Sequence, residues 1–311
     1  MALAAVTGAT GFLGRHLVRE LAAAGWRIRV LTRRDVIHPL WRDIEVEAVV
    51  GGLENDQALD RLCQGADLVV HAAGLIKARD LPAFQRVNVE GSRRVAERAA
   101  GAMLMVSSLA AREPQLSDYA ASKRGGEEAA EVILGKRLTV ARPPALYGPG
   151  DVETLPLFKL AASSPILPVF NPQARIAMMH VADAARQIAA LTRAPGGLRV
   201  ALSDARPQGY GWREILGTAA AAFGANPSFI RLPDATFTLA AHLAKLGAGA
   251  PMLSLGKARE IRHLDWSVGP GEQPVDLPAP LFDLGEGFLH TIDAYRASGV
   301  IFGSRDSPVK R

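Results

Sequence analysis

Cysteine, long apolar runs and runs of a single charge are scarce or missing from this chain, and each absence excludes something. One residue of 311 is a cysteine, Cys63, so no intrachain disulfide can form, and a lone thiol fits a reducing compartment. Cys63 lies between Leu62 and Gln64 in an expected helix, where packing is its expected role. No apolar stretch reaches the ~18 residues that a membrane-spanning helix needs. The first six residues carry no basic segment and run straight into a glycine motif, so no cleaved leader is expected and the expected location is the cytoplasm. No run of five like charges marks an arm for nucleic acid, which is therefore not an expected partner. No His, Cys or carboxylate cluster has metal-ligand spacing, and no metal is expected.

What is present reads as an ordinary globular protein. The composition is 49% apolar and 22% charged with 30 Gly and 20 Pro, which excludes disordered, collagen-like and coiled-coil classes. Basic residues outnumber acidic ones 36 to 31, a net +5 carried mostly by arginine. That excess suits a phosphate-bearing ligand or an anionic membrane surface. Short apolar runs at 3–6, 28–31, 46–50, 68–70, 103–106 and 138–141 read as strands. Between them, residues 15–24, 57–63, 93–100 and 119–134 carry apolar positions at helical spacing. Such alternation predicts an α/β fold, a parallel sheet with helices on both faces.

The regularity breaks after Gly150, where Pro156, Pro165, Pro168 and Pro172 argue against a regular sheet element in 151–175. A helix at 181–192 and a strand at 198–202 return to the sheet, and 205–311 is mixed, with one further helix expected at 236–246. Residues 1–150 and 176–204 are thus expected to form one domain, with 151–175 and 205–311 forming a smaller one.

Directly after the first strand stands Thr7-Gly8-Ala9-Thr10-Gly11-Phe12-Leu13-Gly14, opening a helix. Glycine permits the tight turn and close backbone approach, and the helix N-terminus offers free N–H groups to a pyrophosphate. Gly8, Thr10, Gly11, Phe12, Leu13 and Gly14 are therefore the expected dinucleotide cradle of a Rossmann-type, doubly wound sheet. Enzymes that prefer NAD place an acid at the end of the second strand. Here that strand ends Thr32-Arg33-Arg34, and a guanidinium holds a 2′-phosphate through paired charge-assisted bonds. NADP(H) is the expected cofactor, with Arg33 as first contact and Arg34 as helper, although Asp35 follows at once.

Tyr119 and Lys123 stand four residues apart on one face of an expected helix. A nearby ammonium favours phenolate and is expected to lower the tyrosine pKa, so that Tyr119 exchanges a proton with an alcohol while the nicotinamide moves a hydride. Lys123 is also free to donate to the nicotinamide ribose. The fifth strand ends in Ser107 and Ser108, and ligands of open α/β sheets gather at such carboxyl ends. Ser108 is the expected donor to a substrate carbonyl, with Ser107 in reserve.

These residues together resemble the short-chain dehydrogenase/reductases of the extended or atypical type. The resemblance covers the glycine loop, His71-Ala72-Ala73-Gly74, Asn88-Val89-Glu90-Gly91, Ser107-Ser108, Tyr119 with Lys123, Arg142-Pro143-Pro144-Ala145-Leu146-Tyr147-Gly148-Pro149-Gly150 and His180-Val181-Ala182-Asp183, most of residues 3–190. It implies a catalytic Ser108, Tyr119 and Lys123, support from Asn88, and a cofactor bordered by Ala72, Ala73, Gly74, Pro143 and Leu146. The acid that many members carry after the third strand is missing, so only Leu53 carries over to the adenine side. Ser108 and Tyr119 are only eleven residues apart, a compactness similar to the branch that holds the respiratory complex I accessory subunit and bacterial reductases of lipid ketones such as 3-keto ceramide precursors.

The remaining residues carry plainer readings. His71 and His180 are expected to hydrogen-bond to backbone, Asp183 to sit in a first helical turn, and Met178 and Met179 either to fill core or to border substrate. Phe158, Leu160, Ile166, Leu167, Val169 and Phe170, with Phe237, Leu239, Leu243 and Leu246, lean toward a hydrophobic carbonyl substrate, or else form a small core. Two features suit a peripheral contact with the inner membrane: the 236–246 helix with His242 and Lys245, and the cluster Lys257, Arg259, Arg262 and His263 beside Trp266. Internal packing explains the helix equally well, and a solvated face is the plainer reading of the cluster. An NADP(H)-dependent ketone reductase is the expected function; a sugar-nucleotide epimerase or dehydratase and a non-catalytic NADPH-binding subunit are the alternatives. The oligomeric state is not legible.

Overall fold

A computed structural model of the chain describes residues 1–34, 38–169, 171–194, 196–231 and 255–300. Seven parallel strands form its central sheet: β1 Leu3–Thr7, β2 Arg27–Thr32, β3 Val46–Val50, β4 Leu68–His71, β5 Ala102–Val106, β6 Leu138–Arg142 and β11 Arg199–Ala201, in the order β11-β6-β5-β4-β1-β2-β3. Every pair in it is parallel, with Ala4 beside both Ile28 and Leu68. β1 and β4 are buried along their whole length, as strands covered on both faces must be. This is the doubly wound sheet that the alternating pattern predicts.

Helices cover both faces. α1 Phe12–Ala23 buries Leu17, Val18 and Leu21 on one side, against Val6, Val30 and Ile188. On the other side α2 Asp56–Cys63, α4 Gly91–Arg98 and α5 Asp118–Leu134 enclose Leu59, Leu62, Val95, Met103 and Ala130. α5 starts one residue before its sequence-predicted position because Ser117 caps it, accepting from the Ala120 amide at 3.0 Å. A π-helical turn, Gln85–Glu90, joins the short α3 Leu81–Phe84 to α4.

Residues 151–175 are more ordered than their prolines predict. Pro156 sits in the first turn of α6 Leu155–Ser163, where its missing N–H costs nothing. Pro168 lies within β8 Ile166–Val169, which pairs with β12 Ser228–Arg231 in a two-stranded sheet; with only one partner strand, β8 tolerates a lost donor. Three more short strands, β7 Ala145–Tyr147, β9 Arg175–Ile176 and β10 Met178–His180, also pair outside the main sheet, β7 with β10 and β9 with β13 Asp265–Trp266. α7 Val181–Ala190 then packs back on the sheet beside α1.

A separate apolar cluster joins α6, α8 Trp212–Ala221 and the helix Leu284–Ala297. In it Phe288 meets Tyr147 at 4.9 Å and Phe158 at 5.0 Å, both edge to face. Phe158 and Leu167 are fully buried here, and Val169, Met178 and Met179 are also interior, whereas Leu160 and Ile166 face solvent. The described apolar residues of 151–175 therefore build core or surface, and the expected apolar pocket does not rest on them. The expected helix at 236–246, with Phe170, lies outside the described residues. Among the described residues no helix is long and apolar enough to cross a membrane.

Cys63 is buried, and desolvation pushes its thiol up to about 11. A thiol-reactive chromophore is expected to label the native chain slowly and to titrate one thiol after unfolding. Leu17→Ala, at a fully buried site, is expected to lower stability by ~2–5 kcal/mol, read as a lower urea midpoint with an unchanged slope.

Candidate active site

The sheet reverses its winding between β1 and β4, and the crevice above that point is where open α/β sheets hold ligands. Gly8 ends β1 with φ +70°, and a Cβ on it would stand 2.5 Å from the backbone of Ala72 and Ala73 at the end of β4. A Cβ on Gly14 would stand 2.0 Å from the Gly8 carbonyl oxygen. Only glycine fits at either position. Gly11, which caps α1, has no side chain to occupy the first amides of the helix, and those amides lack intrahelical acceptors. Thr10 and Gly11 are exposed, with Phe12 and Leu13 half-buried behind them. The cradle thus fits the pyrophosphate of a dinucleotide.

β5 and α5 bring the expected catalytic residues together. Ser108, just past β5, caps a short turn by accepting from the Ala110 amide at 3.2 Å, and its side chain lies near enough to the Tyr119 phenol to favour the ionised form. Phe84 packs its ring 6.1 Å from that of Tyr119. Lys123, one turn on, is buried and donates from Nζ to the Val106 carbonyl at 2.8 Å. Asn88 accepts from the Leu75 amide at 2.7 Å and donates to the Leu75 carbonyl at 2.9 Å and to Ser122 Oγ at 2.9 Å. It thereby fixes the loop after β4 against α5. A Cβ on Gly74 would lie 3.6 Å from Lys123 Nζ, so the loop after β4 passes directly beside the lysine at Gly74. Ser107 Oγ is buried without a hydrogen-bond partner, a free donor at the head of β5.

Electrostatics here depart from the sequence-based expectation. Tyr119 is not acidified: burial pushes its phenol up to about 12, Ser108 pulls back, and the charge of Glu260 pushes further up. Burial also drives Lys123 down to about 8, with Glu127 opposing. Taking both groups out of water penalises phenolate and ammonium alike, and the ammonium is aimed at a backbone carbonyl. Glu260 reaches this helix from Leu255–Arg262, accepting a hydrogen bond from Ser117 and an ion pair from Lys257 at 3.2 Å.

The other expected site residues are spread around the crevice. Arg33 and Arg34 are exposed just beyond β2, where Thr32 Oγ1 accepts from the Arg34 amide at 3.0 Å. Leu53 lies against the glycine at the start of α4. Pro143 accepts from the Leu109 amide at 2.8 Å, which ties the segment after β6 to Ser108, and Leu146 follows in β7. His71 bonds to side chains rather than backbone, to Thr7 Oγ1 at 2.7 Å and Ser92 Oγ at 3.1 Å, and burial, then the charge of Lys123, lowers it to about 3. His180 accepts from the Ala182 amide and meets His290 at 3.2 Å. Asp183 opens α7 and also accepts from the Leu281 and Phe282 amides.

Two residues escaped the sequence reading. Glu127, fully buried on α5, grips Arg142 with both oxygens, at 2.9 and 2.6 Å; its position eight residues past Tyr119, on the same helical stripe, was the available signal. Arg15 donates to the Pro149 carbonyl at 2.7 Å, closing the glycine loop against the segment after β7.

Comparison with known proteins shows the family and the fold. The profile of the NAD dependent epimerase/dehydratase family matches residues 4–199. A ceramide reductase of Caulobacter vibrioides is 54% identical over 302 residues, 95% of each chain. The mitochondrial NADH dehydrogenase [ubiquinone] 1 alpha subcomplex subunit 9 of Dictyostelium discoideum is 27% identical over 69% of this chain and 62% of its own. Among solved structures, MoeE5 in complex with UDP-glucose and NAD superposes with a TM-score of 0.70 at 20% identity, over 96% of this chain and 99% of that one, a likeness of fold.

Gly14→Ala puts a methyl group into the Gly8 carbonyl and is expected to weaken binding of a nicotinamide dinucleotide at least about tenfold. A fluorescence titration with NADH and NADPH checks this, together with loss of the upward shift in melting temperature expected of the parent chain at a saturating concentration of whichever binds.

Proposed function

The chain belongs to the NAD dependent epimerase/dehydratase family, the extended short-chain dehydrogenase/reductases, and on that premise we propose that it reduces a ketone on a lipid substrate with NADP(H). The observation that carries the proposal is the placing of Ser108 and Tyr119 together beside a buried Lys123, in a chain 54% identical to a ceramide reductase over 95% of both lengths. The favoured substrate class is accordingly a 3-keto sphingoid or ceramide-like lipid.

When bound, the reduced dinucleotide supplies the hydride. Gly8, Thr10, Gly11, Phe12, Leu13 and Gly14 would hold its pyrophosphate, Ala72 to Gly74, Pro143 and Leu146 its nicotinamide half, and Leu53 its adenine side. Arg33 and Arg34, exposed beyond β2, would clasp the 2′-phosphate that distinguishes NADP from NAD. Ser108 and Tyr119 hold the ketone oxygen between two hydroxyls. Tyr119 keeps its proton at neutral pH because burial raises its phenol, so it has a proton to give as the carbonyl carbon becomes an alcohol. Lys123 lies between Gly74 and Val106, where it donates to the ribose and offsets negative charge on the phenol oxygen. Residues 151–175 and 205–311 are assigned to the substrate. A ketone that resides in a bilayer implies a peripheral contact with the inner membrane from the cytoplasmic side.

The relationship to a respiratory-chain subunit favours a second reading, a cofactor-binding scaffold, yet an assembled hydroxyl pair with a buried lysine has no use in one. NADPH oxidation with a panel of lipid ketones separates the two. Turnover is expected with 3-keto lipids and to fall about 10²–10⁴-fold in Tyr119→Phe with NADPH affinity retained; tight NADPH binding by the parent chain with no turnover on any ketone would establish the scaffold. Arg33→Ala is expected to reduce kcat/KM for NADPH about tenfold or more and leave that for NADH nearly unchanged, and equal losses with both would refute the 2′-phosphate contact.

A further inference from the structure

We propose that Glu127 is a positioning residue for the reductase, holding Lys123 as an ammonium through its charge while its clasp on Arg142 fixes α5 to the end of β6. The inference rests on the reading of Lys123 given under Proposed function.

Glu127 has no exposed surface, and both its oxygens are engaged by Arg142, from Nε at 2.9 Å and Nη2 at 2.6 Å, with Arg199 Nε of β11 at 3.7 Å. A buried ion pair of this kind contributes little net stability compared with apolar packing, so stability alone does not account for a carboxylate placed there. Its location does. Tyr119, Lys123 and Glu127 are spaced four residues apart on one helix, which puts the carboxylate one turn beyond the ammonium.

The groups around Lys123 give it no other anion among the described residues. Its hydrogen bond goes to the Val106 carbonyl of β5, a neutral acceptor. From β4 comes His71, held neutral by burial; from the π-helical turn comes Asn88; from its own helix come the Tyr119 phenol and Ser122. The charge of Glu260 acts on Tyr119, whereas Glu127 is the charged group that favours the proton on Lys123 against desolvation. Arg142 is the last residue of β6, immediately before Pro143, so the same clasp anchors the segment expected to border the nicotinamide.

Breaking the pair from either side separates charge from scaffolding. Glu127→Gln leaves the Arg142 guanidinium without its carboxylate, and the lysine then loses its proton at lower pH. Arg142→Gln leaves the carboxylate facing only Arg199 at 3.7 Å, and the lysine keeps its proton to higher pH. The measurements are the alkaline limb of kcat/KM for ketone reduction, which lies near pH 8 if Lys123 sets it, and the alkaline limb of NADPH affinity from fluorescence titration. The limb is expected to move down by about one pH unit in Glu127→Gln, up in Arg142→Gln, and back near the parent position in the double variant. Shifts in the same direction, or losses at every pH without a shift, overturn the proposal. Should Glu127→Gln fail to fold, Arg142→Gln and the double variant decide alone: an upward shift that the second substitution cancels supports the role, and any other pattern refutes it. Should no ketone be turned over, Proposed function falls, while the NADPH-affinity limb still judges Glu127.

Discussion

Two backbones approach each other at the carboxyl ends of β1 and β4 so closely that a single methylene would not fit. A Cβ on Gly8 would stand 2.5 Å from the Ala72–Ala73 peptide, and one on Gly14 would stand 2.0 Å from Gly8 itself. That closeness lets α1 begin directly over the sheet, with its first amides facing the crevice. It also carries Gly74 past Lys123 and lets Asn88 lock the following loop to α5. The glycine loop and the placing of α5 are thus both tied to one contact. The parallel register of β1 with β4 brings Thr7 level with His71 and maintains it.

Desolvation sets the chemistry in that crevice. The same burial raises the phenol of Tyr119 and lowers the ammonium of Lys123, leaving a protonated acid beside an ammonium whose midpoint lies near pH 8. Charges outside the pair then adjust each member separately. Glu260 acts on Tyr119 from a helix late in the chain, and Glu127 acts on Lys123 from within α5. Because Ser117 both caps α5 and donates to Glu260, the start of the catalytic helix is tied to residues 255–262. The helix that carries Tyr119 and the segment that carries Glu260 therefore meet at one serine.

Most of the described apolar residues of 151–175 turn out to build core, with Leu160 and Ile166 at the surface. Phe158, Leu167, Phe288 and Tyr295 fill a second cluster built from edge-to-face rings. A lipid substrate is accordingly supported by kinship with a ceramide reductase rather than by the described apolar side chains of 151–175.

Much of this was legible in the chain alone. Alternating strand and helix periods, the Gly8–Gly14 spacing, the strand-end Ser107 and Ser108, and the four-residue step from Tyr119 to Lys123 are local patterns, and local patterns survive in a linear sequence. The parallel sheet, the glycine cradle and the juxtaposition of Ser108 with Tyr119 followed from them. Proton affinities did not, because they depend on how much water each group loses and which distant charges replace it. Spacing alone suggested that Lys123 would acidify Tyr119; burial reversed the sign. Glu127 is met by Arg142 from β6, and Glu260 comes to Ser117 and Tyr119 from a segment some 140 residues away; contacts between separate elements exist only once the chain has closed on itself. The sequence by itself determined which groups could do chemistry, since spacing and type are covalent. Tertiary structure decided which of them hold a proton, since that is a matter of solvent and neighbours.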